Sequence, residues 1–137
     1  MKKSVVILIF LIYVASIAIV GFLGLKAKTY NEVIYVEKLS ILNEYKVEQH
    51  TGNKYIVFDP ADGEEPSIKI ECEVTPEDAS NKKLIFKLDS DCNYATISED
   101  GVLTFDDGIT TYKSVTVYIH SDQNTTISDK LEVYYIP

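Results

Sequence analysis

Two patterns of apolar and polar residues divide this chain. From Val5 to Leu25 no residue is charged, and a helix of this length, at ~1.5 Å per residue, reaches roughly 31 Å, enough to cross a hydrocarbon core of ~30 Å. After Leu25 the apolar residues alternate with polar ones in short segments, which is the pattern of half-buried strands. The pattern predicts one membrane-spanning helix followed by a β domain.

The alternation is clearest in four segments of the second part. Their apolar positions are Ile68, Ile70, Cys72 and Val74; Leu84, Phe86 and Leu88; Val115, Val117 and Ile119; and Leu131, Val133 and Tyr135. Glu99-Asp100-Gly101 predicts a tight hairpin, because glycine supplies the positive φ that such a turn needs. Short strands between frequent turn signals, with no amphipathic helix beyond the anchor, predict an all-β fold: an antiparallel sandwich or barrel.

The predicted organisation has three parts: an anchor over 1–28, a stem over 29–53 and a β-sandwich over 54–137. The stem fits neither a helical nor a strand period cleanly. We interpret Val33 to Asn43 as a first strand, and a helical continuation of the anchor is the alternative.

The N-terminal segment has two interpretations, an uncleaved anchor or a cleaved signal peptide. Ser16-Ile17-Ala18 offers small residues suited to cleavage, but the apolar run continues past them to Leu25, which favours the anchor. Lysines lie on both sides of the run, at Lys2 and Lys3 and at Lys26 and Lys28. The short N-terminal tail favours an N-terminus on the cytoplasmic side of the cell membrane, with the C-terminal domain extracellular.

Charge excludes two classes of partner. All 21 acidic residues follow Leu25, against eleven of the 13 lysines, so the exported part carries a net charge of −10. Such a charge repels phosphate backbones and anionic lipid head groups. We expect no nucleic-acid partner, and membrane contact only through the helix over 5–25.

The centre of the chain resembles the bacterial immunoglobulin-like domain of group 2, a module of invasin- and intimin-type surface proteins. The matching segments are Val74-Thr75-Pro76, the loop Glu77 to Lys82, the strand Leu84-Ile85-Phe86, Ser90-Asp91 and the hairpin Ala95 to Thr104. The resemblance covers about Val57 to Tyr135. It departs at Phe86, where the family usually has Trp, and at Cys92, where proline is common.

This resemblance implies an immunoglobulin-like sandwich of about seven strands and a location at the cell surface. It implies neither an enzyme nor a fixed ligand. We therefore expect a non-enzymatic, single-pass membrane protein that acts as a binding or structural subunit at the bacterial cell surface. The alternative is an adhesin-type domain, anchored or secreted, that binds a host protein or glycan.

Cys72 and Cys92 are the two cysteines, and an exported domain permits a disulfide between them. Cys72 alternates with apolar residues on its strand, so a buried free thiol acting as a small hydrophobe is the alternative.

Acidic residues cluster in five predicted loops, where calcium would need six to eight converging oxygens. The loop residues are Asp59, Asp62, Glu64 and Glu65; Glu77 and Asp78; Asp89 and Asp91; Glu99 and Asp100; and Asp106 and Asp107. None has the spacing of a known calcium loop, so we expect solvated turn carboxylates and no cofactor, with calcium at the acidic loops as the weaker alternative. His50 and His120, the two histidines, lie in no motif for nucleophilic catalysis.

Tyrosines are concentrated in the last two predicted strands. Alternation predicts that Tyr118 and Tyr134 point outward, and Tyr112 lies just before the first of these strands. Exposed aromatic residues on a sheet face suit a protein-contact surface, although tyrosine is also an ordinary strand former.

Overall fold

The structure, a computed structural model, describes residues 2–29 and 32–137. Over these residues the chain forms one helix and ten strands. The elements are α1 (Lys3–Thr29), β1 (Lys38–Ile41), β2 (Lys46–Val47), β3 (Lys54–Phe58), β4 (Ser67–Lys69), β5 (Cys72–Thr75), β6 (Leu84–Leu88), β7 (Ala95–Ile97), β8 (Val102–Phe105), β9 (Lys113–Ser121) and β10 (Ser128–Tyr135). The prediction of one N-terminal apolar helix and a β-rich fold is confirmed.

The helix α1 carries apolar side chains all around its axis. Its large apolar side chains from Val5 to Leu23 are exposed, and the Ser16 hydroxyl donates to the carbonyl of Ile12 within the helix (2.8 Å). The segment Lys3–Leu23 is long and apolar enough to cross a membrane. The side chains of residues 24–29, and with them the charges of Lys26 and Lys28, lie outside those that the structure describes.

The strands form three sheets around one hydrophobic core. A five-stranded sheet has the order β2-β3-β10-β9-β6, a three-stranded sheet the order β4-β8-β7, and β1 pairs with β5. All neighbours are antiparallel except β3 and β10, which run parallel. Buried residues of all three sheets belong to a single cluster. This arrangement is consistent with a β-sandwich.

The alternating pattern correctly locates the buried face of the longest strands. Leu131 and Val133 on β10 and Val115, Val117 and Ile119 on β9 are 2% exposed or less. Since successive side chains of a strand point to opposite faces, the intervening residues form the outer face of the sheet.

One predicted strand is divided in the structure. The alternating run from Ile68 to Val74 forms β4 and β5, and between them the pairing partner changes from β8 to β1. Ile70 N donates to Gly101 O (2.8 Å), and Leu42 N donates to Glu71 O (2.8 Å). Such interruptions help to explain why ten segments form where about seven are expected.

The segment assigned to the stem contributes to the β unit. Contacts divide the chain into residues 1–33 and 34–137, so the β unit begins at Ile34, before Lys54. Ile34 is held by two hydrogen bonds with Ser80, one from Ser80 N to Ile34 O and one from Ile34 N to Ser80 Oγ, both 2.9 Å. Val36 N donates to Gln123 Oε1 (3.1 Å). The strand interpretation of this segment matches β1, which is shorter than the predicted Val33 to Asn43.

Candidate functional site

The outer face of the five-stranded sheet carries exposed aromatic and aliphatic side chains. On β3, Ile56 is buried and its neighbours Tyr55 and Val57 face outward. On β10, Tyr134 lies between buried Val133 and Tyr135. Registers place Tyr134 beside Val57 and Glu132 beside Tyr55.

Three tyrosines meet on this face, and we call Tyr55, Tyr112 and Tyr134 the tyrosine cluster. The ring centroids of Tyr55 and Tyr134 are 5.4 Å apart and tilted by 54°. Those of Tyr112 and Tyr134 are 5.8 Å apart and nearly stacked, at 28°. Tyr112 is 58% exposed. Tyr134 therefore forms the centre of a cluster whose outermost ring remains open to contact.

Desolvation and neighbouring carboxylates raise the pKa of the central phenol. Desolvation, followed by a hydrogen bond and charge repulsion from Glu132, raises the pKa of Tyr134 to about 12. Tyr112 and Glu48 add smaller contributions in the same direction. The phenol of Tyr134 is thus a hydrogen-bond donor to an acidic surrounding rather than an anion.

Tyr118 lies apart from this cluster. It is 44% exposed on β9, and its strand neighbours in register are Lys130 on β10 and Lys87 on β6. A hydrogen bond to Asp89, followed by the charge of that carboxylate, raises the pKa of Tyr118. Of the three tyrosines predicted from sequence, the structure therefore brings together Tyr112 and Tyr134 and separates Tyr118.

Sequence reasoning missed Tyr55. Its segment is recognisable as a strand, but its position beside β10 depends on a parallel pairing between residues that are far apart in the chain. No local pattern specifies that pairing. The sequence does indicate the face of the strand: alternation along this segment places Tyr55 and Val57 on the face opposite Ile56.

Both cysteines are free thiols in the structure. Burial, followed by the charge of Asp129, raises the pKa of the Cys72 thiol to about 11, against an opposing contribution from Lys54. Asp129 pairs with Ile119 near the end of β9. Cys72 therefore lies toward that end of the sheet.

Cys92 lies toward the other end of β9. The Cys92 thiol contacts the carbonyl of Ala95 (3.9 Å), and the adjacent Tyr94 hydroxyl donates to Ser114 O near the start of β9. The two positions along β9 are five residues apart, roughly 17 Å at ~3.3 Å per residue. A disulfide needs Cα atoms within about 7 Å, so the pairing that the sequence allows is not made here.

The acidic loops lie at two ends of the β unit. Asp59 and Asp89 directly follow β3 and β6, and Asp106 follows β8, whose Phe105 ring stacks on Tyr135 at the end of β10 (4.4 Å). The Asp89 carboxylate accepts a hydrogen bond from Thr116 N (3.1 Å).

Of the other two acidic loops, one follows β5 and contains Glu77 and Asp78, and the other connects β7 to β8 and contains Glu99 and Asp100. In the described part of the chain, no three His, Cys, Asp or Glu side chains form a group that could hold a metal ion. His50 is exposed in a turn, and His120 is half-buried with Nδ1 3.3 Å from Ser121 O.

An open groove of about 620 Å³ lies between β5 and β6. Its apolar lining includes Cys72, Leu84 and Phe86, and its rim carries both signs of charge, with Lys82 and Asp100 among them. The raised pKa of the Cys72 thiol opposes formation of a nucleophilic thiolate.

Comparison with known proteins identifies no relative of this chain. The chain matches no family model, and no curated protein matches it. The resemblance to the immunoglobulin-like module remains a prediction from the residues quoted above.

Proposed function

We propose that this protein is a single-pass membrane protein that presents one immunoglobulin-like β-sandwich outside the bacterial cell membrane. In this proposal it acts without catalysis, as a binding or structural subunit of an assembly at the cell surface. The observation that carries the proposal is the combination of an all-round apolar helix with one β unit whose outer face bears the tyrosine cluster.

The helix α1 supports anchoring because its apolar side chains are exposed on every side. Those from Val5 to Leu23 are exposed, and a helix that is apolar on every side is stable in hydrocarbon rather than in water. Lysines flank the helix on both sides, and the short N-terminal tail favours an N-terminus on the cytoplasmic side.

Strand pairing supports the immunoglobulin-like assignment. β1 lies beside β5, and β4 lies beside β8, with β7 next to it, while β3, β10, β9 and β6 form the facing sheet. The three sheets share one core, and this pairing of distant strands is compatible with such a sandwich. The hairpin at Gly101 and the β5 to β6 connection coincide with the segments that carry the resemblance.

The short connection between α1 and the β unit favours a partner near the membrane. The β unit spans residues 34–137 and begins five residues after α1 ends at Thr29. A connection of this length limits how far the β unit can lie from a membrane in which α1 is inserted. Partners within or close to the membrane therefore suit it better than distant ones.

Membrane extraction and co-purification test the proposal together. The full chain is expected to remain with membranes after washing at high pH and to co-purify in mild detergent with a defined protein partner. Release by the wash would contradict anchoring. A detergent-solubilised monomer that brings no partner would contradict the subunit function, and binding of the same chain to host cells or glycans would favour the adhesin alternative.

A further inference from the structure

The tyrosine cluster leaves apolar surface uncovered beside a sheet edge. Val57 is 52% exposed and lies next to Tyr134 in register. On its other side β3 is paired with β2 only at Lys54 and Tyr55, and no described residue forms a strand pair with Val57 there. An extended segment placed at this edge would lie directly alongside the cluster.

Carboxylates lie close to the tyrosine cluster. Glu48 and Glu132 both act on the Tyr134 phenol, and Asp59 follows β3 directly after Phe58. Lys46, which pairs with Tyr55 at the β2 edge, and Lys130, two residues before Glu132 on the same face of β10, are cations on this face. Aromatic faces attract cations, and carboxylates beside them strengthen that attraction.

The charge of the whole β unit discriminates between occupants. Residues 34–137 contain nine lysines and twenty acidic residues. A second copy of this unit would meet a surface of the same sign, and anionic lipid or nucleic acid would be repelled in the same way. A polypeptide with Lys or Arg side chains meets an attractive field and an aromatic surface at once.

We propose that the tyrosine cluster and the β3 edge at Val57 dock an extended, cationic segment of a protein partner. Apolar side chains of the segment cover Tyr112 and Tyr134, and its Lys or Arg side chains lie against the rings and the carboxylates of Glu48 and Glu132. This inference rests on the proposed function, since it names the surface and the chemistry of the partner.

Site-specific photo-crosslinking in the producing cells tests the docking surface. A benzophenone amino acid replaces Tyr112, and in a matched control it replaces Tyr118, an exposed tyrosine on the same sheet face outside the cluster. The expected result is a crosslink from position 112, absent from position 118, to a protein segment that carries Lys or Arg within a few residues of the linked site.

Several outcomes would overturn the inference. A crosslink to polysaccharide, to a second copy of this chain or to a segment without cationic residues would show a different occupant. Equal crosslinking from positions 112 and 118, or no crosslink from position 112, would show that the cluster is not the docking surface. If co-purification yields a partner but position 112 gives no adduct, the docking surface is wrong while the proposed function stands. If neither yields a partner, both fail.

Binding measurements in detergent, between point variants of the full chain and the partner identified by crosslinking, separate the aromatic and the electrostatic contributions to the interaction. Y112S and E132Q are each expected to weaken binding by about tenfold or more, the scale of residues central to an interface. Y118S is the control and is expected to leave affinity unchanged. Raising the salt concentration should weaken binding to the wild-type chain, and affinity that is independent of salt would contradict a cationic partner.

Discussion

At the scale of single residues, Gly101 brings the hairpin between β7 and β8 into close contact with β6. Its φ is +82°, and a Cβ atom there would lie 2.8 Å from Phe86 Cζ and 2.9 Å from Ile70 O. The backbone of the hairpin thus lies directly against the aromatic ring of β6 and the junction of β4 and β5. A side chain at this position would meet both a strained backbone and a steric clash.

Gly101→Ala is therefore expected to destabilise the β unit by about 2–4 kcal/mol, from left-handed strain plus displacement of Phe86. Gly108→Ala is the matched control: its φ is +86°, yet nothing lies within 4 Å of the added methyl. We expect it to cost about 1 kcal/mol from strain alone. Denaturant unfolding measures both, and equal losses would contradict the close packing at Gly101.

Tyr134 makes stability depend on pH in the alkaline range. Its pKa is raised from 10.0 to about 12 in the folded chain, so the folded state binds the phenolic proton more tightly than the unfolded state. The resulting stabilisation is fully present below pH 10 and is lost as pH rises toward 12. Glu132→Gln should lower this pKa while leaving it above 10, because desolvation is the largest cause.

The measurement is an absorbance titration of tyrosinate formation in the wild-type chain and in the Glu132→Gln variant. Each is compared with the same chain carrying Tyr134→Phe, and the difference isolates the Tyr134 phenol. Glu99→Gln, in the hairpin away from the cluster, is the control and should leave the curve unchanged. A Tyr134 phenol that ionises near pH 10 would show that the ring is not desolvated by its neighbours.

At the scale of elements, β1 fastens the N-terminal part of the β unit to the core. Val36, Leu39 and Ile41 are buried at 2%, 8% and 7% exposure, and β1 pairs with β5 from Lys38 to Ile41. The hydrogen bonds of Ile34 with Ser80 hold the beginning of the same segment. β1 is thus a component of the fold and not a spacer.

A fragment of residues 34–137 is expected to fold, whereas a fragment of residues 51–137 is expected to be largely unfolded. The shorter one lacks three buried apolar side chains at ~1.5–3 kcal/mol each, a loss comparable to the whole stability of a small domain. Cooperative thermal unfolding by circular dichroism distinguishes them. A cooperative transition of equal midpoint in both fragments would contradict this function of β1.

The outer elements also show what alternation along the chain predicts and what it does not. The buried positions of β9 and β10 follow from a period of two, because each strand has one face on the core. The neighbour of Tyr55 does not follow, because the pairing of β3 with β10 is decided by packing of distant segments. The break between β4 and β5 has the same origin, since the pairing partner changes there: Ile70 N donates to Gly101 O beside β8, and Glu71 O accepts from Leu42 N beyond β1.

At the scale of the whole molecule, the anchor and the acidic β unit have opposite requirements for their surroundings. The anchor has no charged residue from Val5 to Leu25, whereas residues 34–137 carry twenty acidic side chains. Burying that helix in lipid and keeping the β unit in water satisfies both. The proposed single-pass arrangement depends on this contrast more than on any motif.

Labelling of intact cells with a membrane-impermeant maleimide tests this arrangement most directly. Asp62→Cys lies in an exposed loop of the β unit and Lys2→Cys precedes the helix; both are made in a chain with Cys72→Val and Cys92→Ser. We predict that position 62 is labelled in intact cells and position 2 only after the membrane is permeabilised. Labelling of position 2 in intact cells with protection of position 62 would contradict the account.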